Sequence, residues 1–189
     1  MGSLTWRLLK AWRVGAIGVL LGLLVGCSTA PPAGIQPVTP FSLERYSGTW
    51  YEIARMDHPF ERGLRDIRAS YRALDDGHID VLNWGVETDT GRLREAQGRA
   101  VFIGPSTIGS LKVSFFGPFY GAYHIAALDQ QNYQWALVVG PDRDYFWILS
   151  REPVIPAALR DELLIKTRRL GIDPAALIFT EQQGKTSAP

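Results

Sequence analysis

Cysteine occurs once in the 189 residues, at Cys27, so no intramolecular disulfide can form. An excess of either charge is also missing. Twenty Lys and Arg stand against 19 Asp and Glu, a formal +1, which leaves no electrostatic footprint for nucleic acid. The apolar run Val14 to Val25 has twelve residues, where a membrane-spanning helix needs about 20. There is no Gly-x-Ser-x-Gly elbow and no Gly-rich phosphate loop. The three histidines, His58, His78 and His124, lie far apart and lack metal-ligand spacing. The expectation is a protein that is not an enzyme, with no catalytic residues, cofactor or metal. What the chain has in quantity is aromatic: six Trp, seven Tyr and eight Phe.

The N-terminus reads as a targeting segment over residues 1–26. Arg7, Lys10 and Arg13 precede the short apolar run, and no acid occurs there. Its end, Leu24-Val25-Gly26-Cys27, resembles the lipobox of bacterial lipoproteins. That resemblance implies cleavage before Cys27, a diacylglycerol on its sulfur, and acylation, as by palmitate, of its new amine. Multiple acyl chains anchor far more firmly than one. Ser28 at the next position resembles lipoproteins sorted to the outer membrane, where the periplasmic face is expected. Residues 27–40 follow as the lipidated Cys and a tether with Pro31, Pro32, Pro37 and Pro40. In a polyproline-like form the tether would extend about 40 Å. Residues 183–189 read as a flexible tail.

The domain is expected over residues 41–182. Phe41 to Tyr46 suggests a short helical turn. Gly48-Thr49-Trp50-Tyr51-Glu52-Ile53-Ala54-Arg55 then reads as the start of a strand, aromatic and β-branched after a permissive glycine. Seven further strands are expected at about 66–74, 78–86, 92–103, 110–116, 122–128, 133–140 and 145–151. Asp75-Asp76-Gly77, Thr88-Asp89-Thr90-Gly91 and Gly117-Pro118 separate some of them. Eight evenly spaced strands with short turns predict an all-β, eight-stranded up-and-down antiparallel barrel. The period then changes. Pro156 suits a helix start, Leu159, Leu163 and Leu170 recur at helical spacing, and Gly171 suits its end. Asp161 and Glu162 lie early, Lys166, Arg168 and Arg169 late. This C-terminal α-helix is expected on the outside of the barrel, with a ninth strand at about 176–181.

Gly48-x-Trp50 opening the first strand and Trp147-Ile148-Leu149-Ser150-Arg151 in the last resemble the lipocalin family. Asp129 and Tyr133 match its middle segment. The resemblance covers residues 41–182. It implies that Trp50 plugs the closed end of the barrel, that Arg151 stacks over it, and that Gly48 completes this structural closure. It also implies ligand contacts at Tyr71, Asn83, Tyr123 and Trp147. A few lipocalins use a barrel thiol as isomerases, but the one thiol here lies in the lipobox.

Side chains alternate along a strand. If Trp50 points inward, so do Glu52 and Ala54. The same alternation gives inward rows of Ala69 and Tyr71; of Ile79, Val81 and Asn83; and of Ala96, Gly98, Ala100 and Phe102. It continues with Leu111, Val113 and Phe115, with Tyr123 and Ile125, and with Tyr145, Trp147 and Leu149. His124 then faces outward. The candidate cavity is Tyr71, Asn83, Ala100, Phe102, Val113, Phe115, Tyr123 and Trp147. Eight strands leave room for side chains or one small ligand. Small and aromatic walls with few polar groups suit an acyl chain with a polar head, here a fatty acid or lysophospholipid, with Asn83, Arg62 and Arg65 as head-group contacts. Glu52 requires a cationic or hydrogen-bonding partner that the pattern does not name. The function expected is lipid storage or transport in envelope maintenance, by a membrane-anchored protein that the resemblance allows as a homodimer. The alternative is a lipid-anchored interaction module presenting the aromatic turn Phe116–Tyr120 to a partner.

Overall fold

The structure, a computed structural model, describes residues 29–183; the signal segment expected over residues 1–26, Cys27, Ser28 and the tail expected beyond residue 183 lie outside the described residues. A helical turn α1 (Leu43–Tyr46) is capped by Ser42, whose hydroxyl accepts from the N–H of Arg45. Then come β1 (Gly48–Arg55), β2 (Leu64–Ala73), β3 (Ile79–Glu87), β4 (Leu93–Phe102), β5 (Ser110–Phe116), β6 (Phe119–Leu128), β7 (Trp135–Val139) and β8 (Phe146–Ser150). Each strand pairs antiparallel with the next, and β8 returns to β1. Closure of this kind removes the exposed sheet edge. The β1–β2, β3–β4, β5–β6 and β7–β8 loops share one end, and α1 crosses the other.

Two apolar clusters divide along the strand period. Trp50, Tyr71, Ile79, Val81, Leu111, Ile125 and Leu149 are among those filling the barrel. Ile53, Leu137, Phe146 and Ile148 point outward under α2 (Ala157–Arg169), which contributes Leu163 fully buried and Leu159 packed against it. Asp161 and Glu162 fall beyond the first turn of α2, so the helix dipole is met only by Lys166, Arg168 and Arg169 in the last.

The alternation fails in β1. Its register with β8 shifts between Glu52 and Ala54, as a β-bulge does. Ala54 therefore joins the outer cluster with Ile53, against the expectation that it faces inward, and Arg55 is buried in its place. β2 has a second shift between Arg65 and Arg68. The two strands pair only over Gly48–Tyr51, and the gap beyond is filled by the C-terminal segment. β9 (Ile178–Phe179) is shorter than expected and pairs with Ala54 and Arg55. Beyond it, the Gln182 side-chain amide donates to the carbonyls of Glu52 and Ile67, at 2.9 and 3.0 Å. One side chain thus replaces the missing ladder bonds between β1 and β2.

The proline-rich stretch is not a free tether. Ile35 is buried in the outer cluster beside Ile172. Val38 donates to Ile125 and accepts from Gly109, at 2.8 and 2.9 Å. Arg143 clamps the Ala33 carbonyl and the Leu170 carbonyl, each at 2.7 Å. The backbone of Thr29 and Ala30 lies against the imidazole of His124, which faces outward as expected and is covered. Apolar burial and backbone bonding outweigh the extended preference of the prolines, so the 40 Å reach expected of a loose chain does not apply.

Candidate ligand cavity

The closed end is built on Trp50, wholly buried, with its Nε1 donating to the Tyr46 carbonyl at 2.8 Å. The Arg151 guanidinium lies 3.9 Å from the Trp50 ring centre. Gly48 has φ +94°, a backbone conformation that calls for glycine, and a Cβ there would just touch Arg151 Nη1 at 3.4 Å. Gly48, Trp50 and Arg151 thus close the barrel together, and Tyr133 stacks under Arg45 at 4.0 Å.

Above Trp50 three phenols meet. The Tyr71 hydroxyl donates to that of Tyr123 at 2.8 Å, and the hydroxyls of Tyr46 and Tyr123 are 2.7 Å apart. Burial pushes the Tyr71 phenol up to about 12 and raises those of Tyr46 and Tyr123 well above the usual value. All three stay neutral and satisfy one another. Ala100 and Phe102 belong to this packed floor. Ala100 is fully buried between Ile79 and Val113 in register, and Phe102 sits edge-on to Phe41 at 6.1 Å. Both lie late in β4, which runs toward the closed end; Ala100 keeps no accessible surface, whereas Phe102 is half-buried. Ala96, expected to face inward, is exposed with the rest of the first half of β4.

The upper barrel differs. Val113, Phe115 and Trp147 pack on the inner cluster yet stay only half-buried, and Asn83, in register with Ala69 and Ala96, is half-buried too. The Phe115 ring rests on Gly98, where a Cβ would come within 2.8 Å of it; the missing side chain makes the room. Asn83 Oδ1 is buried and has no partner among the described residues.

Beside Trp147 is a polar cluster that strand parity did not reveal. The β1 bulge turns Arg55 inward, where Nη1 donates to Glu52 Oε1 at 2.9 Å. Arg55 Nη2 donates to the Glu61 carbonyl at 3.0 Å, and Arg55 Nε lies 3.6 Å from Glu61 Oε2. Thr180, from the C-terminal segment, donates to Glu52 and accepts from Arg55. Trp147 Nε1 donates to both Glu61 oxygens at 3.3 Å. Arg55 and Thr180 are thus the partners Glu52 required. Burial and then the neighbouring Glu52 push the Glu61 carboxyl up to about 8; burial also raises Glu52, opposed by Arg55. One guanidinium neutralises one carboxylate, and the second stays protonated. Glu61 sits on the β1–β2 loop, its N–H donating to the His58 carbonyl at 3.1 Å, and the His58 ring stacks on Phe60 and on Tyr145 at 5.1 and 4.8 Å. Burial lowers the pKa of His58, so the stack is neutral. Only a charged residue placed to become buried, like Glu52, hinted at this cluster in the sequence. Among the described residues no group of His, Cys, Asp and Glu could hold a metal ion. No helix among them is long and apolar enough to cross a membrane.

A closed antiparallel barrel with an outer helix and a Trp–Arg closed end defines a lipocalin, and the chain belongs to that family: residues 41–182 match the family model of a lipocalin-like domain. Within the family it is similar to the outer membrane lipoprotein Blc of Escherichia coli, 50% identical over 163 residues, 86% of this chain and 92% of that protein. The Blc protein of Vibrio cholerae is 47% identical over 85% of this chain and 94% of its own length. Among solved structures, insecticyanin of the tobacco hornworm Manduca sexta matches with TM-score 0.64 at 23% identity, over 80% of this chain and 85% of that one. That likeness supports the fold.

Proposed function

We propose that this protein is an outer-membrane lipid carrier, anchored through Cys27, that holds one fatty acid or lysophospholipid in the upper barrel. The observation that carries the reading is the half-buried set Val113, Phe115 and Trp147 on the inner face of a closed barrel whose far end is filled by the buried Trp50, Tyr46 and Tyr71. The wall is closed, yet these apolar side chains keep accessible surface, as a chamber for an acyl chain requires. The floor's phenols are mutually satisfied, so they make no demand on a ligand head. Asn83 Oδ1 lacks a donor, and the free hydroxyl of a lysophospholipid would supply one.

The rim arginines contribute less than the sequence suggested. Arg62 is held by Asp57 and Arg65 by Asp66. The head group is therefore read as lying near Asn83 and the mouth rather than on these cations. Two relatives named as outer membrane lipoproteins and the lipobox before Cys27 support the anchor. Mass spectrometry of lipids extracted from the purified mature protein tests the cargo. A fatty acid or lysolipid at near-stoichiometric level is expected. An empty protein that also fails to bind a monomeric fluorescent fatty acid would overturn the reading.

A further inference from the structure

The β5–β6 hairpin ends in the most exposed large apolar side chains of the described residues, Phe116 at 82% and Phe119 at 78%. Tyr120 follows, with the Lys112 amine 4.9 Å from its ring centre. Exposed aromatic tips beside a lysine match what settles at a bilayer interface, rings in the acyl boundary and the amine among head groups.

Chain length makes a bilayer the occupant. Resting on the anchor proposed for Cys27, the lipid attachment is two residues from Thr29, which spans at most about 7 Å. Thr29 and Ala30 lie against His124 of β6. Phe119 is five residues from His124 on the same strand, about 17 Å at strand rise. The docked N-terminal segment therefore holds the β5–β6 face next to the membrane that carries the anchor. A free partner protein is not delivered to this face in the same way.

We infer that Phe116 and Phe119 form a membrane-docking tip that seats the open end of the barrel on the lipid surface bearing the Cys27 anchor. Phe115, their neighbour, lines the chamber from the inside. Cargo then passes between bilayer and barrel along an apolar path.

The test uses the full acylated protein in vesicles of phosphatidylethanolamine and phosphatidylglycerol. A single new cysteine takes a nitroxide at Phe119→Cys or, on the opposite end, at Asp76→Cys. The parent protein must take no label, because an acylated Cys27 has no free thiol; labelling of the parent refutes the anchor, separately from the tip. The label at position 119 is expected to gain collisions with oxygen and lose collisions with a water-soluble nickel complex, relative to position 76. Equal accessibility at the two positions overturns docking. Spin–spin broadening between copies at 119 without oxygen gain assigns the tip to a second copy instead. The double variant Phe116→Ser, Phe119→Ser should slow uptake of a pyrene fatty acid from vesicles while leaving affinity for the monomeric ligand unchanged. An unchanged uptake rate also overturns the proposal.

Discussion

Arg151 covers the outer face of Trp50 and also ties down the chain around it, donating to the carbonyls of Thr49, Arg45 and Ser47 at 2.8, 2.8 and 2.9 Å. One guanidinium thus joins β8 to α1 and to the start of β1. Only a planar fork reaches so many acceptors at once. Trp50→Ala should cost about 3–5 kcal/mol, the usual loss for a buried Trp. Arg151→Lys keeps the charge and loses the fork, so it should recover only part of the loss seen in Arg151→Ala. Urea unfolding measures both. A lysine variant as stable as the parent would show that charge alone closes the barrel.

The carboxyl of Glu61 gives stability a pH dependence of stated sign. Its ordinary value is 4.5 and burial beside Glu52 raises it to about 8. Over that interval the folded chain binds the proton and the unfolded chain does not. Stability is then fully present below pH 4.5 and falls as pH rises, by at most about 1.4 kcal/mol per pH unit, until Glu61 ionises near 8. Glu61→Gln cannot ionise and should flatten this decline. Equal slopes for parent and variant in unfolding series from pH 5 to pH 8 would remove Glu61 from the account.

The barrel was legible in the sequence because strand period, turn residues and the Trp50 and Arg151 positions all agreed. The site was legible only in part. Tyr71, Tyr123, Val113, Phe115 and Trp147 face inward by simple alternation. Arg55 could not be placed, since a bulge reverses its face and no local residue signals the extra position. Glu61 belongs to a loop, where alternation carries no information. The docked segment before Phe41 was misread because its prolines describe local conformation, whereas Ile35 and Val38 are fixed by partners about 70–140 residues away.

The fully buried Ala100 and its half-buried register partner Val113 predict opposite outcomes for two similar substitutions. Ala100 is fully buried against Ile79 and Val113, so Ala100→Trp overpacks the floor and should cost about 1–3 kcal/mol. Val113 is half-buried and lines the proposed ligand space. Val113→Trp should leave the fold intact and weaken a fluorescent fatty acid by about tenfold or more, equivalent to roughly 1.4 kcal/mol. Titration and urea unfolding of the two variants separate the effects. Unchanged affinity in a folded Val113→Trp protein places the ligand elsewhere.

The N-terminal segment should behave as part of the domain. Its apolar hold is Ile35, buried beside Ile172 and Phe146. Its polar hold is Arg143, bonded at once to Ala33 and to Leu170 at the end of α2. An aspartate buried in this apolar cluster carries a large desolvation cost. Ile35→Asp should therefore release the segment, whereas Arg143→Ala removes two charge-assisted bonds near the surface and should loosen it by about 1 kcal/mol. Hydrogen exchange reads the outcome at two amides, Ile35 bonded to Pro32 and Val38 bonded to Ile125. Both should lose protection in Ile35→Asp, and the Ile35 amide should lose more than the Val38 amide in Arg143→Ala, because Ala33 is the residue that Arg143 grips. Protection at parental levels in both variants would mean that the bonds around Val38 alone secure the segment.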